Sequence, residues 1–187
     1  MKLASIGLAA FALLVASPAL ADPVKNIVLV HGAWADGSGW QGVYAILKKD
    51  GYNVSVVSNP LTSLADDVAA TDRVVDRQDG PVILVGHSYG GAVITEAGDN
   101  PKVAGLVYLA AFAPDKGESV LGLLPKDGPQ PPIEVTKDGF IFFSNGAYQA
   151  AFAAGVPPAQ ADFMQASQVP LAAAAGNAPL TVAAWKT

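Results

Sequence analysis

One stretch, Pro81–Ala92 (PVILVGHSYGGA), constrains this chain more than any other. The apolar run Val82–Val85 leads into Gly86-His87-Ser88-Tyr89-Gly90, and Gly91 and Ala92 follow. This is G-x-S-x-G between a strand-like and a helix-like segment, the context that separates a nucleophile elbow from a chance match. A serine at the tip of so tight a strand-to-helix turn sits in strained backbone. Residues two before and two after it must therefore be small. Gly86 and Gly90 meet that demand, and Gly91 gives further room. A helix starting at the serine aims backbone N–H groups at the reacting centre.

The flanking chain alternates. Asn26–Val30 (NIVLV) reads as a buried parallel strand. A Gly-rich loop, His31–Trp40, follows. Ser38 and Gln41 stand at capping-box spacing, and Trp40, Val43, Tyr44 and Leu47 share one face of a helix expected from about Gly39 to Lys49. Asn53–Val57 is the second strand. Leu61, Leu64, Val68 and Val75 line one side of the next helix, with Asp66, Asp67, Asp72, Arg73 and Asp76 mostly on the other. Val82–Val85 is the third strand, Tyr89–Gly98 a helix, and Val103–Ala110 the fourth strand. Strands alternating with helices imply right-handed βαβ units. The expected architecture is α/β: an incomplete parallel sheet of about four strands with helices on both faces.

After Phe112 the character changes. Pro114, Pro125, Pro129, Pro131 and Pro132 interrupt the chain. Ile133–Lys137 and Phe140–Phe143 flank Asp138-Gly139, a two-residue hairpin signal. Ala-rich helical pieces follow at about Ala147–Ala154, Pro158–Ser167 and Pro170–Ala175. Residues 114–187 thus read as a hairpin-and-helix lid on a core spanning 22–113.

Residues 1–21 read as a secretory signal. Lys2 precedes the apolar run Leu8–Val15, and Ala19-Leu20-Ala21 supplies a cleavage site before Asp22. A secreted or periplasmic protein is expected. No second apolar segment has spanning length, which argues against stable membrane insertion after cleavage. There is no cysteine, so neither disulfides nor a lipoprotein anchor is available. The formal charge of −5 and the lack of any basic cluster argue against nucleic acid as a partner.

His31-Gly32-Ala33-Trp34 after the first strand, Gly86-His87-Ser88-Tyr89-Gly90-Gly91 at the elbow and Ala110-Ala111-Phe112-Ala113-Pro114 after the fourth strand together carry a resemblance. The chain resembles an α/β-hydrolase, in particular the compact esterase and hydroxynitrile-lyase-like branch. The resemblance implies Ser88 as nucleophile toward a small-molecule ester, with an acyl-enzyme intermediate. It implies the backbone N–H groups of Tyr89 and Ala33 as oxyanion donors, each worth about 3–4 kcal/mol. No metal or organic cofactor is implied.

The triad partners are the point of departure. In the family the order is serine, then acid, then histidine. His31 and His87 are the only histidines, and none follows Ser88. His87 adjoins Ser88 on a tight turn, where neighbours point apart; His31 belongs to the oxyanion loop. Asp115 follows a strand end and is a formal candidate for the acid, but it reads better as an exposed carboxylate beside Lys116. By resemblance, the chain ends before the strands that bring the acid and the histidine. Losing a triad histidine costs on the order of 10⁶ in turnover, and an oxyanion hole with binding alone leaves roughly 10³–10⁴ over water. Impaired activity is therefore expected, as is a bare fourth-strand edge open to self-association. Two alternatives stand beside the esterase: a hydroxynitrile-lyase-like enzyme, and a non-catalytic binding protein whose pocket is lined by Phe112, Phe140, Phe142, Phe143, Tyr148, Phe152 and Phe163.

Overall fold

The computed structural model describes residues 23–127 and 129–186. The signal segment read at 1–21 lies outside the described residues. Four strands, β1 (Asn26–Val30), β2 (Asn53–Val57), β3 (Val82–His87) and β4 (Val103–Leu109), form a parallel sheet in the order β2-β1-β3-β4. β1 is buried along its whole length because β2 and β3 flank it. Its residues alternate between two apolar clusters. Val28 and Val30 join Val82, Leu84, Val93 and Ile94 on one face. Ile27 and Leu29 join Trp40 and Val85 on the other. The first face is covered by α2 (Leu64–Asp76) and α3 (Gly90–Ala97), and the second by α1 (Gln41–Lys49). Helices thus occupy both faces, as periodicity predicts.

Local chemistry revises three details. Ser38 does not cap α1. It lies inside a 3-10 turn, Gly37–Trp40, that Asp36 caps by accepting the Ser38 N–H at 2.7 Å. The stripe on α1 is also only partly used. Trp40 is buried, but Val43 and Tyr44 are 38% and 39% exposed. Leu61 precedes α2 instead of belonging to it. Ser63 is the N-cap, its hydroxyl accepting the Asp66 N–H at 3.0 Å, and Leu61 sits at φ +57°.

The larger correction on α2 concerns Asp67. Charge patterning places it on the polar side, yet it is fully buried with Leu64, Thr71 and Val75. Those four positions follow the i, i+3, i+7, i+11 spacing of one helical line.

Residues past 113 form a second, antiparallel sheet, β5-β6-β7, from Ile133–Val135, Phe140–Phe143 and Leu171–Ala172. Three short helices accompany it: α4 (Tyr148–Ala151), α5 (Pro158–Ala166) and α6 (Ala173–Asn177). The hairpin has a three-residue loop, not two. Thr136 N–H still donates to Phe140 O at 2.8 Å, and of the loop residues only Gly139 has positive φ (+84°). A type I′ turn needs two such residues; one at the third loop position gives the next commonest hairpin. The segment read as helix from Pro170 opens as strand β7, because Leu171 and Ala172 pair with Ile141 and Phe140. This layer is not detached. Leu171, Ala172, Ala175 and Leu180 belong to the same apolar cluster as β1 and α3.

β4 pairs with β3 alone among the described strands, and its Val107 and Leu109 are 46% and 49% exposed. No helix among the described residues is long and apolar enough to cross a membrane.

Candidate active site

Ser88 stands at the end of β3 with φ +53°, a left-handed conformation that costs a non-glycine residue on the order of 1 kcal/mol or more. The surroundings hold it there. Its carbonyl oxygen accepts from Gly91 N–H at 3.0 Å and Phe112 N–H at 3.1 Å. The backbone of α3 fits against β1 closely enough that a Cβ on Gly90 would lie 2.6 Å from Val30 O. The loop after β1 reaches the serine from the other side. A Cβ on Gly32 would lie 2.8 Å from Ser88 Cβ and 3.3 Å from its Oγ. Elbow and loop are therefore in contact around one side chain. Ala33 and Tyr89 are both buried, and neither of their N–H groups donates to another described residue.

The two histidines are otherwise employed. His31 is buried; its Nε2 accepts the Asn59 N–H at 2.9 Å and its Nδ1 donates to Gly32 O at 2.9 Å. That pattern requires the neutral ring, and burial holds its pKa below the ordinary value. Asn59 Nδ2 also donates to His31 O at 2.9 Å. His87 stands edge-on to Trp40, ring centroids 6.4 Å apart, and burial lowers its pKa too. No hydrogen bond joins either ring to Ser88 Oγ among the described residues. Asp115 accepts from Lys186 and makes no hydrogen bond to the elbow among the described residues; the Lys186 contact holds its carboxyl below the usual range.

Ser88 opens into a cavity of about 480 Å³, walled by Trp40, Val43, Leu109, Phe152 and Met164, with His31, His87 and Asp36 at its polar part. Of the seven aromatics expected to line a pocket, only Phe152 does so. Phe143 and Tyr148 pack into a cluster of their own, and Phe163 is 63% exposed. The residue that organises this cluster, Trp34, is one that sequence reasoning left without a role. It sits at φ +58° beside Ala33. Its N–H donates to Val169 O (3.0 Å), its Nε1 to Ile141 O (2.8 Å), and its carbonyl accepts from Tyr148 OH (2.8 Å). Its ring meets Phe143 and Phe152 edge-on. One residue, through its ring and its backbone, thus ties the loop over Ser88 to β6, α4 and the segment before β7. Among the described residues, no group of three or more His, Cys, Asp or Glu is placed to hold a metal ion.

Comparison with protein families matches residues 27–187 to the alpha/beta hydrolase family. The chain belongs to that family. Among curated relatives, a carbendazim hydrolyzing esterase of Nocardioides sp. (strain SG-4G) is 40% identical over 119 residues, which cover 55% of this chain and 48% of the relative. A pyrethroid hydrolase of Sphingobium wenxiniae is 37% identical over 103 residues, 47% of this chain and 36% of the relative. This alpha/beta hydrolase chain therefore spans about half or less of the length of these relatives. Among solved structures, a pyrethroid hydrolase superposes with a TM-score of 0.75 at 21% identity, over 88% of this chain and 75% of the other. An extracellular alpha/beta-hydrolase from a Paenibacillus species superposes with a TM-score of 0.72 at 22% identity, over 87% and 73%. At these identities the superpositions establish a shared fold.

One buried carboxylate of this alpha/beta hydrolase lies directly behind the elbow. Asp67 Oδ2 accepts from Tyr89 OH at 2.7 Å, and Oδ1 accepts from Leu61 N–H at 2.7 Å. Burial pushes its carboxyl up to about 6, against the lowering effect of both hydrogen bonds. Burial and the nearby carboxylate push the Tyr89 phenol up as well. Because the folded-state value of Asp67 is raised, ionisation opposes folding above it, and that penalty is relieved as pH falls from about 6 toward 4. The stability of the wild type relative to Asp67→Asn is therefore expected to rise between pH 8 and pH 5, by about 1 kcal/mol. Urea unfolding of both proteins at matched pH values checks this. A difference that stays flat or falls would contradict it.

Proposed function

We propose that the site hydrolyses a small, largely apolar ester, with Ser88 as nucleophile and the backbone N–H groups of Ala33 and Tyr89 stabilising the oxyanion. The observation that carries this reading is the contact of the Gly32 loop with the side chain of Ser88. Ala33 follows Gly32 and Tyr89 follows the strained Ser88, and the N–H groups of both are without acceptors among the described residues. Attack by Ser88 Oγ on the carbonyl carbon forms a C–O bond as its proton passes to solvent water; collapse breaks the ester C–O bond, the alcohol leaves with a proton from water, and the acyl-enzyme that remains is hydrolysed by water. Donors fixed before the charge develops lower the barrier without reorganisation. The relatives' names, an esterase and a pyrethroid hydrolase, support the reaction class. The apolar wall of Trp40, Val43, Leu109 and Phe152 supports an apolar acyl or alcohol group.

The second half of the proposal is that this chain turns over slowly. Nε2 of His31 is occupied by Asn59 N–H, and His87 is packed beside Trp40. Neither ring is hydrogen-bonded to Ser88 Oγ among the described residues, as a base taking its proton would be. The test is incubation with a fluorophosphonate and with a p-nitrophenyl ester, read by intact mass and by released phenolate. A single adduct on Ser88, absent in Ser88→Ala, is expected with both reagents. Ester turnover should remain far below the ordinary scale of about 10 s⁻¹. No adduct on Ser88 would remove the nucleophile; turnover at ordinary rates would remove the impairment.

A further inference from the structure

We propose that Asp67 is a positioning residue for the oxyanion site, fixing Tyr89 on one side of Ser88 and the His31–Ala33 loop on the other. The inference rests on the reading of Ser88, Ala33 and Tyr89 given above. The connections are short. Tyr89, whose N–H flanks Ser88, is anchored by its own hydroxyl to Asp67 Oδ2. Asp67 Oδ1 holds the N–H of Leu61, a residue at φ +57°. Two residues before Leu61, Asn59 grips His31 twice, at Nε2 through its N–H and at the carbonyl oxygen through Nδ2. His31 leads through Gly32 to Ala33. One carboxylate therefore braces both walls of the site from behind.

The chemistry favours a carboxylate at this point. Both donors, a phenol O–H and a backbone N–H, need acceptors, and an ionised carboxylate is acceptor-only. An asparagine would satisfy Leu61 with its oxygen but present an N–H₂ to the Tyr89 hydroxyl, leaving the phenol proton without an acceptor in a buried place. Among the described residues the only ion pair is Lys186 with Asp115, so Asp67 is buried with no cationic partner. A buried carboxylate held by hydrogen bonds alone opposes stability. One bond runs to the elbow and the other to the Asn59–Leu61 segment that grips the loop facing Ser88, which gives it a use beyond packing. Charge-assisted bonds of this kind are short and directional.

The experiment measures phosphonylation of Ser88 by a fluorophosphonate, resolved into the inactivation rate constant kinact and the binding constant KI. The proteins are the wild type, Asp67→Asn, Tyr89→Phe and the double variant, each with its urea midpoint. Tyr89→Phe removes only the hydroxyl and keeps the buried ring, so it guards against an Asp67 variant that fails to fold. Each single variant is expected to lower kinact about tenfold with KI unchanged, since a sub-ångström displacement of a donor is felt in the reacting state. The double variant should be no slower than the singles. A role in packing alone would move the urea midpoint and leave kinact of the folded protein at the wild-type value; that result overturns the proposal. So do single effects that multiply in the double variant. Absence of any Ser88 adduct in the wild type would overturn the hydrolase reading and the positioning role with it, whereas an equal kinact in all four proteins would overturn the positioning role alone.

Discussion

Gly91→Ala is expected to destabilise the fold by about 3 kcal/mol or more, the upper part of the range for overpacking. For a chain of this size that is a fall of about 10 °C in Tm. The reason is a backbone crossing. A Cβ on Gly91 would lie 2.0 Å from Phe112 O, 3.0 Å from Phe112 C and 2.8 Å from Ala111 Cβ. No flexible side-chain end is available to move aside. The first turn of α3 and the segment after β4 are drawn together because both Gly91 N–H and Phe112 N–H donate to Ser88 O. Relieving the clash must therefore part that pair and shift Ser88. Thermal unfolding followed by circular dichroism reads the loss, and Ser88 labelling should slow in parallel. Gly42→Ala is the control. Its position in α1 has nothing within 4 Å of an added Cβ, so helix propensity alone predicts a gain of about 1 kcal/mol. A Gly91→Ala protein melting within a degree of wild type would show that the crossing is not tight.

Trp34→Ala is expected to cost about 3 kcal/mol, the lower end for a buried Trp→Ala change because Trp34 is only half-buried. The loss should be local. The bond from Nε1 to Ile141 O disappears. The edge contacts to Phe143 and Phe152 go with it. Two bonds remain, because Trp34 N–H to Val169 O and Tyr148 OH to Trp34 O use the backbone. Hydrogen exchange should accordingly rise across β6 and α4, with β1 and β3 still protected. Trp34→Phe, which keeps an aromatic ring but not the N–H, should lose about 1 kcal/mol. Unchanged exchange over residues 140–152 in Trp34→Ala would refute the cross-brace.

Much of the fold was legible in the sequence, for a local reason. β1 and β2 fall at the bounds that their β-branched runs indicate, and the elbow falls where G-x-S-x-G places it. Two-residue and 3.6-residue periodicities are properties of short windows, and so are glycine spacings at a strained turn. Misreadings occurred where a local signal had competitors close by. Ser38 offered a cap, but Asp36 was better placed two residues earlier. Asp138-Gly139 offered a two-residue turn, but Thr136 kept its pairing with Phe140. Pro170–Ala175 looked helical until Leu171 and Ala172 found β6.

The site divides in the same way. The sequence alone determined the elbow serine, the sheet that presents it and the loop that faces it. Each follows from residue types at fixed spacing, whose demands on backbone sterics hold wherever the rest of the chain goes. Only the tertiary structure decided what surrounds them. Nothing in the sequence around Trp34 points to Val169, Ile141 or Tyr148, which lie more than 100 residues away. Asp67 sits in a charged run that any pattern assigns to solvent. It is buried where Tyr89, 22 residues on, and Leu61, six residues back, bring it two donors that partly offset the desolvation of its carboxylate. A short window registers a side chain's own preference for water; whether a partner waits in the interior is settled when distant segments meet.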